Sequence, residues 1–185
     1  MENLKADPEL YVRKSVANHL NDISKDHPAW MLDLVSAWDP SNDDTAWIIK
    51  RAARSLIKAG HPRAFALFGF EADPQLEVLN FKLSDSSLKL GQTLTFSFDL
   101  QSHQDTPQKL VVDYKVHYVK KNGKTQPKVF KLKEIVLPAR ELLAISKKQR
   151  FQNLSTRVHY PGQHAIEVMV NGHSLTKDTF ELTTS

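Results

Sequence analysis

The sequence predicts an α + β protein in two parts: an N-terminal α-helical repeat segment, an α-solenoid, over residues 1–73, and an antiparallel β-sandwich over residues 74–185. Two observations carry this expectation. Up to about Gly69 the apolar residues recur at helical spacing, and from Leu76 onward they alternate as strand residues do. The helical part also repeats: a shift of 37 residues places Val12 on Ile49, Arg13 and Lys14 on Lys50 and Arg51, Val16 on Ala53, and Leu20 on Ile57, and His-Pro recurs at 27 and 61. Helix pairs with such a period stack into solenoids, which need about three repeats for stability; two are visible here. Between the two parts "GFEADPQ", Gly69 to Gln75, supplies the break through Asp73 and Pro74.

In the first helix, Asp7 and Pro8 read as cap and first turn. Val12, Val16, Leu20 and Ile23 then fall within about 80° on a wheel of about 100° per residue, a stripe that faces a core. Lys14, Asn18, Asn21 and Lys25 cluster on the opposite, solvent side. Arg13 lies at the stripe's edge, where its stem packs and its head stays wet. His19 borders the stripe and reads as packed. "DHP" stops this helix and Pro28 opens a second, "AWMLDLVSAW", whose Trp30, Met31, Leu34, Val35 and Trp38 predict burial on most sides. After "DPSNDD" a third helix, "TAWIIKRAARSLIKAG", ends at Gly60, a residue suited to the left-handed position past a helix end. Pro62 opens a short fourth helix ending near Gly69.

The third helix carries the clearest chemistry. Ala46, Ile49, Ala53, Leu56 and Ile57 make its buried face, whereas Trp47, Arg51, Arg54 and Lys58 share an arc of about 60°, with Lys50 beside it. Guanidinium and ammonium groups neutralise phosphates, and an exposed aromatic stacks on a sugar or base. The alternative is a solvated face with Trp47 packed on a neighbouring repeat.

Bulk properties limit the remaining choices. With 41% hydrophobic and 25% charged residues in 185, the composition is that of an ordinary globular protein. No apolar run approaches the ~18 residues that span a bilayer, and "MENLKADPEL" has no basic segment leading into an apolar one, so the expectation is a soluble protein with no membrane partner and no secretion signal. There is no cysteine, which excludes disulfides and thiolate metal sites and is compatible with a reducing cytoplasm. The eight His show no HExxH or similar spacing, so no metal and no cofactor is expected. The net charge of +4 is uneven: nine Lys and Arg stand against eleven Asp and Glu up to Gln75, and sixteen against ten after it. Lys115, Lys120, Lys121, Lys124, Lys128, Lys131 and Lys133 fall within 19 residues that hold no Asp or Glu, either a footprint for a polyanion or a solubilising surface.

The second part reads as a sandwich. "TLTFSFDL" buries Leu94, Phe96, Phe98 and Leu100, and "VDYKVHY" puts Val112, Tyr114, Val116 and Tyr118 on one face. Asn122-Gly123 and Asn171-Gly172 are hairpin signals. About seven strands between Leu76 and Leu182 suit an immunoglobulin-like fold without its disulfide. From Pro138 to Thr156 the alternation breaks in a stretch carrying Arg140, Lys147, Lys148 and Arg150, read as a linker or as a loop that touches DNA.

"YVRKSVANHLNDISKDHP" and "WIIKRAARSLIKAGHPRAFALFGF" resemble the last repeats of bacterial HEAT-repeat DNA alkylation repair glycosylases, the AlkC-like branch of the AlkC/AlkD group. "LVVDYKVHYVKKNGK", "KVFKLKEIVL" and "TRVHYPGQHAIEVMVNG" resemble the immunoglobulin-like C-terminal domain that some of these proteins append. The resemblance implies excision of positively charged N-alkylated bases from double-stranded DNA by hydrolysis of the N-glycosidic bond. It implies HEAT-like repeats forming a basic cradle, a monomer, and a bacterial cytoplasmic, nucleoid-associated location. It places Arg13 or Lys14, and Arg51 with Arg54, where the family puts DNA-facing basic residues. It also places the family's catalytic carboxylates on earlier repeats, which this chain does not contain.

The DNA-binding residues expected are therefore Arg13, Lys14, Asn18, Trp47, Lys50, Arg51, Arg54 and Lys58, with further contacts from Lys120, Lys121, Lys124, Lys147 and Lys148. Asp22, one turn beyond Asn18, is the single catalytic candidate, and a hydrogen-bonding or loop-holding role is favoured for it; Asp43 and Asp44 complement the dipole of the third helix. The competing function is a noncatalytic DNA-binding or protein-interaction module.

Overall fold

A computed structural model describes residues 1–155 and 157–184. Thr156 and Ser185, which close the predicted basic stretch and the predicted sandwich, lie outside the described residues. The chain divides into two compact units, Met1–Ala72 and Asp73–Ser185. Among the described residues the first holds a short 3-10 turn and helices α1 (Leu10–Asp26), α2 (Pro28–Ser36), α3 (Asp43–Ala52), α4 (Arg54–Lys58) and α5 (Pro62–Leu67).

The punctuation of these helices follows backbone chemistry. Asn42 caps α3, its Oδ1 accepting from Thr45 N at 3.0 Å. Pro28 and Pro62 begin α2 and α5, where a missing N–H costs nothing, and Gly60 takes φ 77 after α4. Two expectations about where helices begin and end are corrected. The first helix starts at Leu10 behind Glu9, because Asp7 instead folds its own turn, Oδ1 accepting from Glu9 N at 2.8 Å. The predicted third helix is two, α3 and α4, separated at Ala53 with ψ −3. Beyond that break a single wheel no longer describes the side chains.

The break also explains Asn21, which is buried and does not face solvent. Its Oδ1 accepts from Ser55 N at 3.3 Å, satisfying one of the N–H groups that the start of α4 leaves without a helical partner. Thus α4 lies across the polar side of α1, while Val16, Ala17 and Leu20 join Met31, Leu32, Val35, Ile48 and Ile49 in one apolar core. The buried side of α3 includes Ile48 and Ala52, whereas Ala46 and Ile57 are only partly buried. Trp30 and His19 are exposed, contrary to the burial expected of both. Trp38 is buried just after α2, its Nε1 donating to Glu2 Oε1 at 2.6 Å.

The second unit is an immunoglobulin-like sandwich of eight strands among the described residues: β1 (Leu76–Leu83), β2 (Ser87–Lys89), β3 (Thr93–Ser102), β4 (Gln108–Val119), β5 (Thr125–Leu137), β6 (Leu142–Arg150), β7 (Gly162–Val170) and β8 (His173–Thr183). A three-stranded sheet runs β1-β3-β6 and a five-stranded sheet runs β2-β8-β7-β4-β5. Leu94, Phe96, Phe98 and Leu100 of β3 meet Val112, Tyr114, Val116 and Tyr118 of β4 in the core between them, as the alternation predicts. One pairing departs from the antiparallel expectation, since β2 runs parallel to β8.

Both predicted hairpins form. Asn171 (φ 46) and Gly172 (φ 84) make the two-residue β7–β8 turn, where left-handed backbone suits Asn and Gly. Gly123 (φ 75) closes the β4–β5 turn. The basic stretch after Pro138 is neither linker nor loop over about half of its length: Leu142–Arg150 is β6, paired to β3 from Thr93 to Gln101. Its alternation is faint because β6 is an edge strand with only Ile145 buried, and charge on an edge strand also discourages pairing with another chain.

Candidate nucleic-acid interface

In the helical unit the α3–α4 break brings the predicted basic residues onto α1. Arg54 Nη1 donates to Arg51 O at 2.6 Å, satisfying a carbonyl in the last turn of α3, and its Nη2 donates to Asn18 Oδ1 at 3.2 Å. The Arg51 guanidinium carbon lies 5.4 Å from the centroid of the Trp47 ring, a cation–π contact. Partial burial, then the neighbouring Arg51 charge, pull the Arg54 pKa below the usual arginine value. Two guanidinium groups held this close, one fixed by hydrogen bonds and one on an indole face, present positive charge ready for an anion.

Asp22 sits beside this group. Its Oδ1 accepts from Lys25 Nζ at 2.7 Å, and that hydrogen bond, with the Lys25 charge and smaller contributions from Arg54 and His19, holds its carboxyl below the usual aspartate value. Lys14, Lys50 and Lys58 are exposed. Arg13 has different surroundings: its Nη1 donates to Asp7 O at 2.8 Å and Pro8 O at 2.7 Å and lies 3.0 Å from Asp44 Oδ1. These contacts tie the lead-in of α1 to the first turn of α3. Asp44 is therefore an ion-pair partner as well as an acidic first-turn residue.

In the sandwich the lysine run does not form one patch. Strand pairing supplies a carboxylate that the local sequence lacks, Glu167 of β7, whose Oε1 accepts from Lys115 at 3.0 Å, and Glu134, just past the run on β5 itself, accepts from Lys131 at 2.7 Å. Glu167 Oε2 also lies 2.6 Å from His117 Nε2. Burial alone would raise the Glu167 pKa, but hydrogen bonds from Lys115, Ser174 and His117 bring it down to about 2. Lys120, Lys121 and Lys124 are exposed at the β4–β5 turn and form no ion pair among the described residues. Lys147 and Lys148 are exposed on β6, in the other sheet.

A cleft of about 880 Å³ opens beside the β4–β5 turn, bordered by Lys120, Lys121, Lys128, Arg157 and Tyr160, and no carboxylate borders it among the described residues. Arg157 is not among the expected residues. Its Nη1 donates to the Tyr118 hydroxyl at 3.0 Å, and its guanidinium carbon lies 4.7 Å from the Tyr118 ring centroid and 5.7 Å from that of Phe130. A contact 39 positions apart leaves no local signal in the sequence. Behind it His159 and His164 are buried against Tyr118 and Phe151, and desolvation depresses both imidazole pKa values. Among the described residues no group of three His, Cys, Asp or Glu is placed to hold a metal ion, and no helix is long and apolar enough to cross a membrane.

These features define a class: a helical unit with a basic, aromatic-containing face, joined to an immunoglobulin-like sandwich with its own basic cleft. Residues 77–184 match the family described as uncharacterised protein YhaZ, C-terminal Ig-like domain, and the chain belongs to that family. YhaZ of Bacillus subtilis (strain 168) is 39% identical over 181 residues, which are 98% of this chain and 50% of that protein. The structure of Pseudomonas fluorescens alkylpurine DNA glycosylase AlkC, bound to DNA containing an abasic site analog, is 47% identical with a TM-score of 0.96, over 99% of this chain and 51% of that one. The chain thus spans about half the length of both relatives. A β-glucosidase from Listeria innocua is 18% identical with a TM-score of 0.51 over 60% of this chain and 16% of that one, a likeness of fold alone.

Proposed function

We propose that this chain is the DNA-gripping C-terminal part of a DNA alkylation repair glycosylase, acting as a monomer on double-stranded DNA in the bacterial cytoplasm. In this reading α1 to α5 are the last HEAT-like repeats of a solenoid, and Lys14, Asn18, Trp47, Arg51 and Arg54 face the backbone of the duplex. The single observation that carries it is the Asn18–Arg54–Arg51–Trp47 group, in which two cations are held by neutral partners and so keep their charge available to phosphates. The 47% identity to AlkC across 99% of the chain supports the same reading.

The chemistry asks little of this part of the protein. A base carrying positive charge from alkylation is already a good leaving group, so the enzyme must stabilise the developing oxocarbenium sugar with a carboxylate and position a water. Asp22 is poorly suited to that role, because Lys25 already occupies one carboxylate oxygen. We assign Asp22 to holding Lys25 and to the local charge balance around Arg54. The carboxylate that acts on the sugar then belongs to repeats outside this chain.

Incubation with methylated DNA tests this directly: the chain should bind duplex with a steep salt dependence and release little base. Release that disappears in Asp22→Asn would make Asp22 catalytic and overturn the assignment. Binding that does not change with salt, or no binding at low ionic strength, would remove the DNA reading. The pairing of Asp22 with Lys25 also fits the second reading, a noncatalytic DNA-binding or protein-interaction module. Base release by a longer protein that contains this chain and an upstream acidic residue would exclude it.

A further inference from the structure

We propose that His159 is an acid-sensitive plug: on acidification its imidazole gains a proton, leaves its socket in the sandwich and frees Asn153, Leu154 and Arg157 with it, while β1 to β8 stay paired. The socket is built of rings. The His159 ring centroid lies 5.3 Å from that of Tyr118 on β4 and 5.7 Å from that of Phe151, edge to face with both, and the residue is only 4% exposed. Neither ring nitrogen of His159 meets a hydrogen-bond partner among the described residues. The neutral ring therefore leaves one N–H and one lone pair unmatched, and a proton would add a second N–H and a full charge in the same apolar place.

The groups around the ring set the direction of the response. Arg157 adds a positive charge, held by the Tyr118 hydroxyl at 3.0 Å, and the Tyr118 phenol is itself kept neutral by burial. His164 of β7 packs on the same Tyr118 and Phe151 rings, its Nε2 donating to Tyr160 O at 3.0 Å, and Glu181 of β8 acts on His164 and not on His159. Desolvation, then Arg157 and His164, hold the His159 pKa below its ordinary 6.5. The plug is therefore at full strength above pH 6.5 and weakens as pH falls below it, the open fraction rising by up to about tenfold per pH unit. What moves is lightly held. His159 N donates to Asn153 Oδ1 at 2.9 Å, and Leu154 and Arg157 exchange backbone hydrogen bonds at 2.8 and 3.0 Å, so these bonds travel together and tie nothing to a strand. Phe151 stays, because its backbone bonds Gly91 at 2.6 Å and Gln92 at 2.9 Å. His164 lies inside β7 and pairs with β8, so a proton there acts on the sheet, whereas a proton on His159 acts on the connection alone.

The experiment is hydrogen–deuterium exchange of the whole chain at a series of pH values through the imidazole range, each rate divided by its intrinsic value so that it reports opening. In wild type, protection of the Leu154, Arg157 and His159 amides should fall by up to about tenfold per pH unit below the ordinary imidazole pKa, while amides of β4 and β7 keep theirs. His159→Phe fills the socket with a ring that gains no proton, so in this variant the same amides should stay protected at every pH. Circular dichroism melting verifies that the variant folds. A direct reading on wild type needs no variant: the His159 ring protons, followed by NMR, should titrate below the ordinary imidazole value. The proposal fails if protection falls with pH equally in wild type and His159→Phe, or if the His159 signal titrates at or above that ordinary value. It also fails if the strands lose protection together with the connection, which would make the event an acid unfolding of the sheet through His164. Should His159→Phe not fold, His159→Leu and the wild-type titration decide by the same outcomes.

Discussion

Arg54 offers the sharpest test of how the helical unit is built, because one side chain serves both architecture and the candidate DNA face. Arg54→Met keeps most of the aliphatic stem and removes two hydrogen bonds from a charged donor, one to Arg51 O and one to Asn18 Oδ1. Such bonds contribute about 1.5–3 kcal/mol each when buried, and Arg54 is only partly buried, so a combined loss of about 1–2 kcal/mol is expected. For a unit of this size that corresponds to a fall of about 4–16 °C in Tm. Asn18→Ala removes one of the two bonds and should cost about half as much. The two changes together should show a coupling of about 0.5–1 kcal/mol, since the second removes a partner already lost. Trp30, Trp38 and Trp47 are the only tryptophans and all lie in the helical unit, so tryptophan fluorescence follows its unfolding without interference from the sandwich. Strict additivity would refute the Arg54–Asn18 tie between α4 and α1. A large drop in DNA affinity without any loss of stability would show that Arg54 acts only on phosphate.

Three further outcomes follow from the packing. Val16→Asp should abolish cooperative unfolding of the helical unit, because an unpaired carboxylate would enter a core position 5% exposed; tryptophan emission would report it. Asn171→Ala should destabilise the sandwich by about 2–4 kcal/mol in urea denaturation, since a left-handed residue loses its tolerance and the buried Val111 N–H loses the Oδ1 acceptor at 2.8 Å; Asn171→Gly should recover the part due to backbone conformation. Glu167 is held down to about 2 in the folded chain from an ordinary 4.5, so its contribution to stability is complete above pH 4.5 and is lost as pH falls toward 2. Denaturation of the sandwich followed by tyrosine circular dichroism should therefore show less acid sensitivity across that window in Glu167→Gln than in wild type.

Several features are legible in the amino-acid order alone. The central strands β3 and β4 carry core-facing apolar residues at a period of two, and Leu94 to Leu100 and Val112 to Tyr118 occupy the buried positions that this period assigns. Asn-Gly at 122 and 171 marks hairpins because left-handed backbone is inexpensive for those residues. Edge strand β6 escapes such a reading for the complementary reason: a strand with one buried residue carries no alternation to read. Arg51, Arg54 and Trp47 share one basic arc on a helical wheel, and the fold links them to one another and to Asn18 through a cation–π contact and two guanidinium hydrogen bonds.

What the sequence determined by itself is what repeats along a local period: helix or strand, the core-facing side of the alternating strands β3 and β4, and the turns whose φ values select Asn and Gly. What only the tertiary structure decided depends on residues distant in the chain. Asn21 reads as a solvent-facing amide until the break at Ala53 sets the N–H of Ser55 against it, 34 positions away. Lys115 reads as one of a basic run until strand pairing delivers Glu167 from 52 positions on. Arg157 has no sequence signature at all, because its role comes from the Tyr118 and Phe130 rings that the sandwich folds beneath it. Local period is set by backbone geometry and can be read from neighbours, whereas the partner of a polar group is chosen by the whole chain when water is excluded and each buried donor must find an acceptor.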